Sequence, residues 1–396
     1  MIYEIGQLAE IIDGDRGKNY PQQDEFSNSG YCLFLNTGNV TPSGFVFESN
    51  QYITQEKDSL LRKGKLRRGD IVYTTRGTVG NAAFYSDQVP YDQVRINSGM
   101  IILRCRNDLV DSRFLYQILK SNYYRPYFKQ YCTGSAQPQL PIKNFSKIQL
   151  EIPEMNTQRR IADILSAYDD LLENNQKQIK LLEEAAQRLY KEWFVDLRFP
   201  GHETTPIIDG VPQGWSEKAL SEFANVVMGQ SPKSEFYNLE GQGLPFHQGV
   251  GSYGTRFVID SAYSSCVTRI AECGSILFSV RAPVGRLNLT KNRIVIGRGL
   301  AAINHRFGMQ SYLFYLLKER FFKDDIIGNG SIFASISKDE LLGQRFIMPT
   351  ENLINRFNRI ANGIDRKIAA CTDQVVLLKE ARDRLLPKLM NGEIEV

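Results

Sequence analysis

Leu181, Leu182, Glu184, Ala185, Arg188 and Leu189 recur 196 residues later as Leu377, Leu378, Glu380, Ala381, Arg384 and Leu385. The same offset holds without a gap back through Pro153 and Pro349 to the pairs Gly134 with Gly330 and Ser135 with Ser331. Upstream it drifts, with Gly69 matching Gly274, Gly99 matching Gly299 and Leu115 matching Leu313. The chain is therefore a repeat whose globular parts have accepted insertions while its helical parts have not. A single extra residue in a heptad helix rotates every core side chain out of its seam, so conserved spacing there means a seam that must stay in register.

The seam itself is explicit. Ile161, Leu165, Tyr168, Leu172, Asn175, Ile179, Leu182, Ala186, Leu189 and Trp193 alternate spacings of four and three, as do Phe357, Ala361, Ile364, Ile368, Cys371, Val375, Leu378, Arg382, Leu385 and Leu389. A period of 3.5 over this length predicts a coiled coil. Asn156 or Thr157 and Thr350 can cap the starts, and Pro200-Gly201 and Asn391-Gly392 close the ends. Pro387 should kink or fray the last turn. The alternative is that each helix packs on its own domain. Equal seams at equivalent places favour mutual packing, and an antiparallel pair would carry one globular domain at each end, related by a pseudo-two-fold axis. A helix of about 38 residues spans roughly 57 Å, more than the about 34 Å between successive turns of B-DNA.

The expected fold class is α+β: two pseudo-two-fold related mixed α/β domains separated by two long antiparallel coiled-coil helices. The divisions are residues 1–152 for the first domain, 153–198 for the central helix, 199–214 for a Pro- and Gly-rich linker, 215–348 for the second domain and 349–392 for the C-terminal helix. Short apolar runs such as 70–74, 100–103 and 275–279 read as strands between Gly, Asn and Ser turns, with one helix near 114–120 and its counterpart near 312–318.

Bulk properties exclude several classes. Apolar and charged contents of 42% and 23% are those of an ordinary globular protein. No apolar run approaches a membrane span and Met1-Ile2-Tyr3-Glu4 is no signal peptide, which leads to a cytoplasmic expectation. Six scattered cysteines and three histidines speak against structural zinc and for thiols packed as small apolar groups. A net charge of +4 permits nucleic-acid binding, which depends on clustering.

Three loop types recur and could read DNA. The first, residues 13–21, offers Arg16, Lys18 and Asn19, and its counterpart offers Gln230, Ser231 and Lys233. The second offers Thr75, Arg76 and Thr78, with Arg281 in the other repeat; the third offers Ser135 and Gln137, with Ser331. Glycine lets backbone N–H groups approach phosphate, and Arg, Asn and Gln can pair bidentately with base edges. Arg62-Lys63-Gly64-Lys65-Leu66-Arg67-Arg68 adds five positive charges, with Lys63 and Lys65 as phosphate candidates. Each loop alone also fits a glycine turn with a solvated arginine. No phosphate loop, zinc-protease motif, nucleophile elbow, flipped-base motif of amino-methyltransferases or metal-nuclease carboxylate cluster is present, so no catalytic or metal-ligating residues are assigned.

The run Gly69-Asp70-Ile71-Val72 leading into Arg76-Gly77-Thr78-Val79-Gly80, the segments Gly134-Ser135-Ala136-Gln137, Ile152-Pro153 and Gln158-Arg159-Arg160-Ile161-Ala162, and the closing Leu385-Leu386-Pro387-Lys388-Leu389-Met390-Asn391-Gly392 together resemble the DNA-specificity (S) subunit of type I restriction-modification systems. The resemblance spans nearly the whole chain. Val211-Pro212-Gln213-Gly214-Trp215 looks like the family's approach to a recognition domain, which the first repeat lacks. It implies two target-recognition domains reading the halves of an asymmetric bipartite site, and helices that set the spacer and dock two methyltransferase (M) subunits. It further implies S-adenosylmethionine on the M subunits, ATP with Mg on restriction (R) subunits, and no cofactor or catalysis in this chain. The rivals are a coiled-coil adaptor that ignores DNA and a self-contained DNA methyltransferase or nuclease.

Overall fold

The computed structural model describes residues 1–134, 137–321 and 335–396. It divides into two compact units: Met1–Gln176 with Asp373–Val396, and Lys177–Thr372. Four described helices exceed eight residues: α1 (Ser112–Lys120), α2 (Met155–Phe194), α3 (Gln310–Phe321) and α4 (Glu351–Met390). None is long and apolar enough to cross a membrane.

The first unit centres on an antiparallel sheet of β1 (Ala9–Asp13), β2 (Ile71–Thr74), β3 (Ala82–Phe84) and β4 (Met100–Cys105), in the order β1-β4-β2-β3. Residues 71–73 of β2 and 100–103 of β4 read as unbroken apolar runs because both faces are covered. Ile71, Tyr73, Ile101 and Leu103 pack with Phe114, Leu115 and Ile118 of α1 and Ile161 and Leu165 of α2. Val72, Met100 and Ile102 face Leu33, Leu35 and Ile96 of a second, three-stranded sheet. Helix α1 starts where the Asp111 carboxylate accepts the N–H groups of Arg113 and Phe114. The strand Ile2–Glu4 pairs with Gln149–Glu151, and the Met1 ammonium donates to the Ile152 carbonyl at 2.8 Å. The missing Pro-x-Gly-Trp approach thus leaves this strand fully paired.

The second unit repeats the plan. Strands β5 (Ala224–Met228), β6 (Ile276–Ser279), β7 (Leu287–Leu289) and β8 (Leu300–His305) take the order β5-β8-β6-β7, with α3 on one face. The strand pairing Ser216–Ala219 with Arg345–Met348 matches the first unit's terminal pair. The segment read as a plain linker is more structured than expected. Ile207–Ile208 pairs with Val211–Pro212 around Asp209 and Gly210, both at positive φ, the geometry of a tight Asp-Gly hairpin. Phe199 is buried against Trp215, with ring centroids 5.3 Å apart.

Each long helix runs 40 residues, about 60 Å, and contributes roughly half its length to each unit. In the first unit the start of α2 (Ile161, Leu165) shares a core with the end of α4 (Leu386, Leu389). In the second, Ala186, Tyr190 and Trp193 of α2 pack with Phe357 and Ala361 of α4. Within each unit the two helices therefore run in opposite senses. Every predicted seam position is buried or half-buried, while Leu181 and Leu377, off the seam, are 55% and 63% exposed. The polar seam members are satisfied: Asn175 donates to the Leu171 carbonyl at 2.9 Å, and Arg382 pairs with Asp169 at 3.0 Å. Two boundary expectations need correction. Helix α2 begins at Met155, placing Asn156 and Thr157 inside its first turn, and α4 continues through Pro387 to Met390. Proline there forfeits one helical bond close to the end, and buried Leu386 and Leu389 on either side hold the turn.

Candidate nucleic-acid interface

In the first unit the first two polar loops meet at one turn, Asn97-Ser98-Gly99, which precedes β4, and the third adjoins the second. Gly14 lies so close that a Cβ there would sit 2.2 Å from the Asn97 carbonyl oxygen. Arg16 donates to the Ser98 carbonyl at 3.1 Å and to the Asp13 carboxylate at 3.2 Å. From the second loop, the N–H groups of Thr75 and Arg76 both donate to the Gly99 carbonyl, at 2.9 and 3.1 Å. The third loop closes on itself through reciprocal Thr133 and Gln139 bonds, and Leu140 N–H donates to the Thr75 carbonyl at 3.0 Å. The Thr74 hydroxyl staples the second loop, donating to Thr78 and accepting the Asn81 N–H at 2.9 Å.

The second unit builds the same hub around Gly297-Arg298-Gly299. A Cβ on Gly229 would lie 2.1 Å from the Gly297 carbonyl oxygen, Val280 N–H donates to Gly299 at 2.9 Å, and Ile336 N–H donates to Val280 at 3.0 Å. Ser279 replaces Thr74 as the staple, donating to Pro283 at 2.6 Å and accepting the Arg286 N–H at 2.8 Å. Ser231 Oγ accepts the Arg298 N–H at 3.2 Å. His247 underpins this side: its carbonyl accepts the Gly297 N–H at 2.8 Å, and its buried ring bridges Ser252 at 2.8 Å and Asp260 at 2.9 Å.

The expected site residues divide by their partners. Lys18, Lys63, Arg76, Thr78, Gln137, Gln230, Lys233 and Arg281 are exposed. Arg16 is exposed but tethered as above, and half-buried Asn19 donates to the Leu60 carbonyl at 3.2 Å. Thr75 is buried, its hydroxyl spent on Gly99. Ser231 is half-buried at the hub. Ser135 and Ser331 lie outside the described residues. The basic run is not one patch. Lys65 is paired with buried Asp58, which also takes Arg95, and Arg68 is paired with Asp92 at 2.6 Å and lies over the Tyr85 ring. Arg62, Lys63 and Arg67 keep exposed side chains.

Sequence reasoning passed over Asp15. Its carboxylate accepts the N–H groups of Gly17 and Arg62 at 2.7 Å and of Lys63 at 3.3 Å, so it ties the first loop to the exposed part of the basic run. Burial opposes its charge, yet these three donors and nearby Arg95 hold the carboxyl below the usual carboxylate range. No pattern of spacing announces this; an aspartate between glycines reads as solvated. The hub turn is likewise silent in sequence, since its carbonyls do the binding. Among the described residues no group of His, Cys, Asp and Glu could hold a metal. What the hub can do is present guanidinium, ammonium and amide groups from a fixed backbone, the equipment for phosphate and base-edge contacts.

Residues 1–184 match the type I restriction modification DNA specificity domain family. Over its whole length the chain is 27% identical to a protein of Methanocaldococcus jannaschii named as the specificity subunit of type I restriction enzyme MjaX, covering 94% of it. Over 90% of the chain it is 26% identical to the MjaIX specificity subunit of the same organism, covering 86% of that relative. The crystal structure of a type I restriction-modification S subunit from M. genitalium superposes with a TM-score of 0.63 at 16% identity, covering 98% of this chain and 95% of the other, a likeness of fold.

Proposed function

From a chain that belongs, through residues 1–184, to the type I restriction-modification DNA specificity family, we propose a protein that positions methyltransferase subunits on DNA by reading the two halves of an asymmetric bipartite site. Each unit reads one half. The observation that carries this is the hub turn, held by equivalent backbone bonds through Thr75 and Leu140 in one unit and Val280 and Ile336 in the other, yet presenting different side chains: Ser98 in one, Arg298 in the other. A shared frame with divergent contents suits two readers of different sequences.

The long helices set the spacing between the half-sites and offer a docking surface to two M subunits. The M subunits bring S-adenosylmethionine and modify adenine; R subunits with ATP and Mg add cleavage; the assembly works in the cytoplasm. A net charge of +4 is modest for phosphate neutralisation, so tight binding needs the contacts that M subunits add.

The test is an exchange of residues 1–152 for the matching domain of another family member, assembled with M subunits and read by methylation sequencing. One half of the modified site should change and the other stay. A change in both halves would remove the independent-reader reading. Protein partners captured with no salt-dependent DNA binding would favour the adaptor, and methyl transfer by the purified chain alone would favour a self-contained enzyme.

A further inference from the structure

Arg298 sits on a turn whose backbone is held at every N–H. The N–H groups from Gly297 to Leu300 are all bonded, to His247, Ser231, Gln248 and Gly297 in turn. Both flanking glycines are tightly packed. A Cβ on Gly297 would lie 3.0 Å from Gln248 Cα and from Ser231 Oγ, and one on Gly299 would lie 2.4 Å from the Gln248 carbonyl oxygen. On this locked turn the Arg298 side chain is exposed and has no hydrogen bond or ion pair among the described residues. A buried charge network would need a partner; an exposed arginine on a mobile loop would gain little from one geometry. Here the backbone is fixed and the fork is unoccupied.

The first unit differs at this point. Ser98 stands where Arg298 does, and the neighbouring Arg16 reaches the turn only by a tether to the Ser98 carbonyl and Asp13. A guanidinium whose backbone is already ordered loses less freedom on binding, and its planar fork matches the O6 and N7 acceptors of guanine. We infer that Arg298 is a specificity-determining residue that reads the major-groove edge of a guanine in the half-site of the second unit. This rests on the DNA-reading function proposed above, and it assigns no equivalent guanine contact to the first unit's hub.

The experiment uses the full-length chain assembled with M subunits and a duplex library randomised in both half-sites, with 7-deazaguanine substituted in turn at each guanine of the second half-site. For the natural chain, one such substitution should weaken binding. Arg298→Ala should lower affinity for the cognate duplex by about 5- to 150-fold, become indifferent to base identity at that same position, and lose nothing further on 7-deazaguanine substitution there. Arg298→Lys, which keeps the charge and loses the fork, should retain binding yet show the same indifference. First half-site preference should be unchanged in both variants. Uniform weakening across all sequences, with one fewer counterion released, would mean a phosphate contact and overturn the inference while leaving DNA reading intact. Unchanged selectivity in folded Arg298→Ala would overturn it too. A natural complex indifferent to the second half-site altogether would instead refute the proposed function.

Discussion

Asp15 offers the sharpest separation between two effects that act in opposite directions. Replacing it by alanine removes a negative charge from the edge of the proposed DNA-binding surface, which by itself should help. For a phosphate about 8 Å away in water, that gain is about 0.5 kcal/mol before screening. Against it stands the loss of the carboxylate that gathers Gly17, Arg62 and Lys63. Hydrogen bonds to a charged acceptor contribute about 1.5–3 kcal/mol each, but water reaches these donors at the loop edge, so the net loosening is about 2–3 kcal/mol rather than their sum. DNA binding must restore that order, so affinity should fall roughly 30- to 150-fold, since each 1.4 kcal/mol is tenfold. Ordering outweighs charge. Asp15→Asn, which keeps an acceptor oxygen, should fall between alanine and the natural residue. Fluorescence anisotropy from about 50 to 200 mM salt, on the site found by methylation sequencing, should show a lower intercept with an unchanged slope. Because the folded carboxyl is held below its ordinary value, its contribution is complete above about pH 4 and lost only as pH falls through the folded value, so the deficit should be flat from about pH 5 to 8. Equal or tighter binding by a folded Asp15→Ala protein at every salt would refute the claim that this carboxylate orders the surface.

Gly14→Ala and Gly229→Ala should each destabilise their own unit by about 1–3 kcal/mol, since the new Cβ would meet backbone at 2.2 and 2.1 Å, and hydrogen exchange should place the loss at the hub turns. Asp169→Leu should cost about 3–5 kcal/mol in urea unfolding by stranding the Lys120 ammonium and taking one of two carboxylates from Arg382, which keeps Asp383, whereas Arg382→Leu should cost less because Asp169 keeps Lys120 and Gln117. An equal cost for both would mean the carboxylate is not the centre of that network. His305 is pushed down to about 4 by burial, and its Nδ1 accepts the Phe307 N–H at 3.1 Å, so the folded state favours the neutral ring. The unfolded chain protonates first, so the second unit should lose stability as pH falls from about 6.5 towards 4, and His305→Gln should flatten that dependence in thermal unfolding.

The repeat and the seam were legible because burial writes them into residue type. Ile71-Val72-Tyr73 and Ile276-Leu277-Phe278 are apolar on both faces, and their correspondence survives the insertions between them. Ile161, Leu165 and Phe357 could be placed from spacing alone. The loops could be grouped but not assembled, since Thr75, Arg76 and Leu140 are held through carbonyl oxygens that any residue supplies. Charge patterning also hid partners: Lys65 sits in a basic run, and no spacing announces the Asp58 carboxylate, seven residues earlier, that pairs with it. Arg298 was overlooked because its value comes from Gly297, Gly299 and Gln248, a rigidity that resembles an ordinary turn when read in one dimension.

The two units differ in how they are drawn from the chain. Lys177–Thr372 is continuous, whereas the first unit needs Asp373–Val396 to cover Ile161 and Leu165 with Leu386 and Leu389. About 200 residues separate the two parts of that core, and at ribosomal speeds of about 5–20 residues per second the wait is roughly 10–40 s. Until then the first part synthesised carries an uncovered apolar strip on its nascent helix, while the later, uninterrupted unit can close ahead of it. Asp373–Val396 thus acts as the latch on Met1–Gln176, and of the two units the one started earlier is the one that finishes folding later.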